Sequence, residues 1–153
     1  MSLFTLEIEL LSDATFGAGI GVSGQVDTEV QHDDLGLPEI SGRALKGLLV
    51  NECSEILSNL KPDKATAWRH VAQRLYGQRG EQVPEIGRLI ISSANCAPDL
   101  ARALRTSRLS RRDVLESLTA IRRQTAINVA GAPDDETLRA VRVVIRGLKL
   151  YAP

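Results

Sequence analysis

The chain has 153 residues, 43% hydrophobic and 25% charged, the makeup of one water-soluble globular domain spanning residues 1–153 with enough length to bury a core. Nineteen basic and nineteen acidic side chains give a formal net charge of zero, which argues against a generic polyanion binder. No apolar run approaches membrane-spanning length, the first residues lack signal-peptide character, and Cys53 and Cys96 lie outside any metal-ligand spacing, so a cytoplasmic chain with reduced thiols and no membrane partner is expected.

Overall neutrality hides a local asymmetry. Arg102, Arg105, Arg108, Arg111, Arg112, Arg122 and Arg123 share their stretch with only Asp113 and Glu116, while acids gather at residues 27–34 and 134–136. Along the chain, Phe4, Leu6, Ile8 and Leu10 alternate with polar residues, which predicts a half-buried strand. Gly17, Gly19, Gly21 and Gly24 then mark a loop open to close backbone approach, without the helix that a dinucleotide fingerprint requires. Residues 25–31 alternate again, Val26, Thr28 and Val30 on one face and Gln25, Asp27 and Glu29 on the other.

Pro38 imposes an extended approach to Ser41, which is placed to cap a helix starting at Gly42. Leu45, Leu48, Leu49, Ile56 and Leu60 recur at helical spacing and predict a buried face. After Pro62, Trp68, Val71, Ala72 and Leu75 mark a second helix stopped by Gly77; Trp68 and Tyr76 read as core. Residues 78–84 read as loop, 87–94 as a short central strand around Leu89, Ile90 and Ile91, and 98–105 as a brief helix. Ser110 caps another helix through Leu118, residues 119–129 look extended, 131–134 form a turn, and 140–151 read as one final strand. This order predicts an α+β fold with a mostly antiparallel sheet.

Two places carry candidate chemistry. The first-turn donors of the helix at Gly42, with Arg43 and Lys46, form an anion site, while Gly42 and Gly47 leave room for another backbone; a capped helix with two surface cations fits the same residues. Asp27 stands beside the glycine loop. A carboxylate is a weak base at neutral pH and is better suited to holding Mg²⁺, but a solvated acid on a strand face has the same local pattern. His32, Asp33 and Asp34 fit either a metal-assisting cluster or a plain turn.

Several segments together resemble the RAMP superfamily, the RNA-binding subunits of CRISPR effector complexes, and among them the repeated backbone subunit of type III (Csm/Cmr) complexes. The likeness lies in the glycines at 17–24 with Val26, Asp27, Thr28, Glu29, Val30 and Asp33. It continues in the run from Leu37 to Gly47, similar to the family's Pro-x-Ile-Pro-Gly-Ser-Ser-Leu-Lys-Gly, with Ser41 in place of Pro and Arg43 in place of Ser. It returns at Leu75-Tyr76-Gly77, Gly87-Arg88-Leu89-Ile90-Ile91, and Arg123-Gln124-Thr125-Ala126-Ile127-Asn128. The resemblance implies a ferredoxin-like (RRM-like) core with helical insertions, guide and target RNA and other effector subunits as partners, and RNA contacts at Gly19, Gly21, Ser41, Gly42, Arg43, Lys46, Arg122 and Arg123. It also implies metal-dependent (Mg²⁺ or Mn²⁺) cleavage of target RNA at Asp27, and further strands beyond Pro153, supplied by a neighbouring chain or absent from a reduced subunit. Two non-catalytic alternatives stand beside it, a structural RNA-binding subunit and a protein–protein adaptor whose apolar final strand pairs with a partner sheet. With only Phe4, Phe16, Trp68, Tyr76 and Tyr151 as aromatics, backbone recognition is expected over base stacking.

Overall fold

A computed structural model describes residues 4–77, 87–125 and 139–153. The expected loop at 78–84, the end of the extended segment at 119–129 and the turn at 131–134 fall outside these residues. The elements run β1 (Leu6–Glu9), α1 (Gly42–Ser58), α2 (Pro62–Tyr76), α3 (Pro98–Thr106), α4 (Arg111–Leu118), β2 (Thr119–Gln124), β3 (Arg139–Val144) and β4 (Lys149–Ala152), the α+β mixture the sequence predicts. They form two compact units, one of Met1–Ile40 with Ala94–Pro153, the other of Ser41–Ser93.

In the first unit β1 pairs antiparallel with β4, Leu6 opposite Ala152, and β2 pairs antiparallel with β3, Thr119 opposite Val144. The ladders join where Ala14 and Val144 exchange backbone hydrogen bonds of 3.0 and 2.8 Å. On its other side β3 meets residues 27–28, since the Arg142 N–H donates to the Thr28 carbonyl and the Asp27 N–H to the Ala140 carbonyl. Leu10, Val30, Leu115 and Val144 form the core, with Ile8, Ala14, Phe16 and Leu148 packed against it. The alternation in β1 therefore reaches the core only at its C-terminal end, and Phe4 stays 82% exposed.

Residues 25–31 keep the predicted faces in part: Val26 and Val30 are buried, Gln25 and Asp27 exposed. Glu29 departs from that pattern. It is buried because its carboxylate pairs with Arg142, itself buried, at 2.8 Å. The Arg142 Nη1 group donates to Thr119 Oγ1 (3.2 Å), which donates to the Leu115 carbonyl (2.6 Å), so one network ties residue 29, β3, β2 and α4 together.

The predicted strand over 140–151 is corrected to two strands separated by a turn at Arg146 and Gly147, so the same segment serves both ladders. Its last part is not an unpaired edge. β4 has β1 on one side, and on the other Tyr151 and Asn95 exchange backbone hydrogen bonds, leaving Leu150 and Ala152 buried. The apolar edge required by the adaptor reading is therefore already used within the chain.

The second unit is built on α1 and α2. Ser41 Oγ accepts from the Ala44 N–H at 3.2 Å, capping α1 as predicted, and Pro62 opens α2. Helical spacing marks both helices correctly but overstates their burial: Leu48, Ile56 and Trp68 are exposed, and only Leu45 and Ala65 are buried in α1 and α2. Trp68 is thus a surface residue, not core. The expected strand at 87–94 is also corrected. The Arg88 and Leu89 N–H groups donate to the Arg74 and Leu75 carbonyls at the end of α2, so the helix terminus takes the donors that a ladder would need.

The Glu29–Arg142 pair generates a stability prediction. Arg142→Leu leaves a buried carboxylate unpaired and should cost about 3–5 kcal/mol in urea denaturation, whereas Glu29→Met combined with Arg142→Leu should recover most of that loss. A single-variant cost under about 1 kcal/mol would show that the pair is not holding these elements.

Candidate nucleic-acid interface

Gly21 lies so close to its own chain that a Cβ would fall 2.6 Å from the Asp27 carbonyl oxygen and 2.8 Å from that of Val26. Glycine is therefore required here by the loop's return onto residues 26–27. Gly19 has φ +75° with open space above it. The loop, Asp27 and Ala140 border an open depression of about 610 Å³. Asp27 is exposed at its rim, but its carboxylate is engaged: Oδ2 accepts the Ala140 N–H at 2.6 Å, while the Asp27 N–H donates to the Ala140 carbonyl at 2.7 Å. Asp27 thus clamps the start of β3.

Among the described residues no three His, Cys, Asp or Glu side chains are grouped to hold a metal ion. His32, Asp33 and Asp34 form a turn, in which Asp33 Oδ1 accepts the Leu35 and Leu37 N–H groups, both at 2.9 Å, and His32 Nδ1 bonds the Asp33 carbonyl. Among the described residues that line the depression, Asp27 is the one carboxylate.

Side chains alternate along a strand, so Arg122 and Arg123 occupy opposite faces of β2. Arg122 Nε donates to Asp13 Oδ2 at 3.1 Å, and Asp13 Oδ1 accepts the Arg146 N–H at 3.1 Å. These bonds, that from Arg122 foremost, hold the Asp13 carboxyl below its ordinary pKa. Arg122 thus braces the fold. Arg123 instead lines a second depression with Gln25, Arg112, Glu116 and Arg142.

Ser41, Gly42, Arg43 and Lys46 belong to the other unit. The cap occupies the Ala44 donor, no acid stands in the first turn, and Arg43 and Lys46 are three residues apart on one helix face. A Cβ at Gly42 would overlap the Ile91 carbonyl oxygen, so the backbone approaching there is the chain's own; Gly47 is open.

One arrangement escaped the sequence reading. Arg111 Nη2 lies 3.4 Å from both ring nitrogens of His32, which sets the guanidinium against the imidazole. The two residues are 79 positions apart, and an arginine at a capped helix start carries no local signal of such a partner.

The α+β fold has counterparts among solved structures. One, titled as a type III-B Cmr-β complex in the apo state, matches at TM-score 0.67 and 13% identity, covering 97% of this chain and 81% of that one. A second, of type III-B Cmr-β bound to cognate target RNA, matches at TM-score 0.66 and 14% identity with the same coverage. The RAMP superfamily model matches residues 7–150, and the chain belongs to that superfamily. Comparison with curated protein sequences finds no match.

The Asp27 clamp makes Asp27→Ala and Asp27→Asn unequal. Alanine loses the bond to Ala140 and should lower stability by about 1 kcal/mol, or Tm by roughly 2–4 °C, whereas asparagine keeps an acceptor and should lose less than half of that. Equal thermal melts for both variants and the parent protein would remove the clamp from the account.

Proposed function

We propose that the chain is an RNA-binding subunit of a type III CRISPR effector complex, holding guide RNA by its backbone and cleaving paired target RNA at Asp27. The observation that carries this is the exposed Asp27 carboxylate at the rim of the glycine-loop depression. It occurs in a RAMP superfamily chain whose fold is shared with a Cmr-β structure bound to target RNA. Among the described residues, none lining this depression or its neighbours is Phe, Tyr or Trp, and the one imidazole, that of His32, already lies against Arg111, which favours backbone contact over base stacking.

Asp27 would hold the Mg²⁺ or Mn²⁺ ion, which when bound supplies charge stabilisation at the scissile phosphate. The Ala140 N–H orients the carboxylate, and the glycine loop leaves room for the target strand, whose own 2′-hydroxyl is the attacking group. Ser41, Arg43 and Lys46 would take guide phosphates at the start of α1. A second reading, a scaffold that binds RNA without cutting it, is favoured by that same Ala140 bond, which gives Asp27 a structural role.

The reconstituted complex separates the two. Asp27→Asn should leave assembly and RNA affinity intact while lowering cleavage of a complementary target on the order of a hundredfold. A target left whole by the wild-type complex in Mg²⁺ or Mn²⁺ supports the scaffold, and cleavage that survives Asp27→Asn places the chemistry elsewhere. Lys46→Ala should weaken binding alike for all RNA sequences and reduce the salt slope by roughly one. An unchanged slope would leave Ser41 as a helix cap only.

A further inference from the structure

The hairpin of α1 and α2 in the second unit has one bare apolar side. A short link at residues 59–61 makes the two helices antiparallel neighbours. Val50, Cys53 and Leu57 of α1 line the groove between them with Arg69, Ala72 and Tyr76 of α2. Consecutive residues of a helix point about 100° apart, and in antiparallel helices the same step turns to the same side of their groove. One position before groove residues stand Ile56, Trp68, Val71 and Leu75, all exposed, Ile56 by 62% and Trp68 by 57%. One position after groove residues stand Asn51, Ser58 and His70, so the opposite side is polar. An amphipathic pair of helices needs a cover for its apolar side, and within the chain only Leu45 and Ala65 of α1 and α2 are buried.

The charges on this side point to the cover. Glu52 lies four residues before Ile56 and Lys64 four before Trp68, so each shares the face of its apolar neighbour. Both are exposed, and neither has an ion-pair partner among the described residues. A two-fold axis through the apolar side sets α1 of one copy over α2 of another. Because the helices run in opposite directions, every pair of residues that meets across one such axis has the same separation in sequence. Ile56 and Trp68 are twelve positions apart, and so are Glu52 and Lys64. One axis therefore brings each Ile56 onto the Trp68 of the other copy and each Glu52 to the Lys64 of the other copy.

We propose that this side of the α1–α2 hairpin is a self-complementary docking surface for a second copy of the chain. Trp68 against Ile56 is the apolar anchor, and Glu52 against Lys64 fixes the register. The contact closes at two copies, unlike a repeated head-to-tail contact, and it needs no RNA and does not rest on the RNA-binding reading.

Analytical ultracentrifugation of the nuclease-treated full-length protein over a concentration series tests this. The wild type should form a dimer, and emission from Trp68, the one tryptophan of the chain, should move to shorter wavelength in step with it. Trp68→Ala should weaken the dimer about thirtyfold or more, the loss of a central aromatic anchor. Glu52→Lys and Lys64→Glu should each weaken it about tenfold or more by setting like charges together, and the two combined should restore it. Circular dichroism melts show that each variant is folded, and should Trp68→Ala not fold, the charge exchange decides alone. A monomer at every concentration overturns the proposal, whichever other chain then covers the face. Growth past two copies, a dimer indifferent to Trp68→Ala, or a charge exchange that does not restore it would overturn it equally.

Discussion

The buried pairing of Glu29 with Arg142 is the interaction on which the candidate interface depends. Withdrawing two charges from water costs several kcal/mol per ion and is repaid only where geometry and further hydrogen bonds are good. Both conditions hold here. Glu29 also accepts the Val30 N–H at 2.9 Å, Arg142 also donates to Thr119, and among the described residues no buried side-chain polar atom lacks a partner. The pair lies where the chain leaving the glycine loop meets β3, and Thr119 extends it to the Leu115 carbonyl at the end of α4. The mouth of the glycine loop and the arginines of α4 and β2 are thereby set in one frame. An apolar pair would pack the same space but would lack the hydrogen bonds to Val30 and Thr119 that fix the frame.

What the sequence revealed followed from local physics. Ser41 before Gly42 and Ser110 before Arg111 each lie where a side-chain oxygen can reach a first-turn donor, and both caps form. Alternation at Val26 and Val30 located buried side chains. What escaped it was set by distant partners. Glu29 read as solvent-facing because its partner lies 113 residues away. Leu89, Ile90 and Ile91 have strand composition, yet the Arg88 and Leu89 donors are taken by the end of α2. Residues 140–151 have continuous β-forming character, and only the separate pairing demands of β1 and β2 divide them.

The arginines show the same division. Composition presents them as one basic stretch, but geometry sorts them by partner. Arg122 is tied to Asp13, Arg112 to Glu116 and Arg102 to Asp99, while Arg142 is buried against Glu29. Exposed pairs of this kind contribute little stability, so their main consequence is to neutralise acids that would otherwise repel a phosphate. Adjacent residues can therefore have unlike roles: Arg122 braces one face of β2 while Arg123 lines the depression on the other.

Net charge is consequently a poor guide to what this chain binds. The formal sum of zero counts every carboxylate equally, yet many are engaged within the fold. Asp33 accepts two turn N–H groups, Asp113 closes the capping box with Ser110, Glu7 and Glu9 flank Lys149, and Asp27 holds Ala140. A strand of phosphates responds to the potential within about a Debye length, roughly 10 Å at moderate salt, and not to the whole-molecule sum. In the depression lined by Arg123 the one acid, Glu116, is paired with Arg112 of the same wall, and the excess is positive. A chain neutral overall can in this way present a local basic excess on one unit, while long-range repulsion or attraction from the rest of its surface stays small.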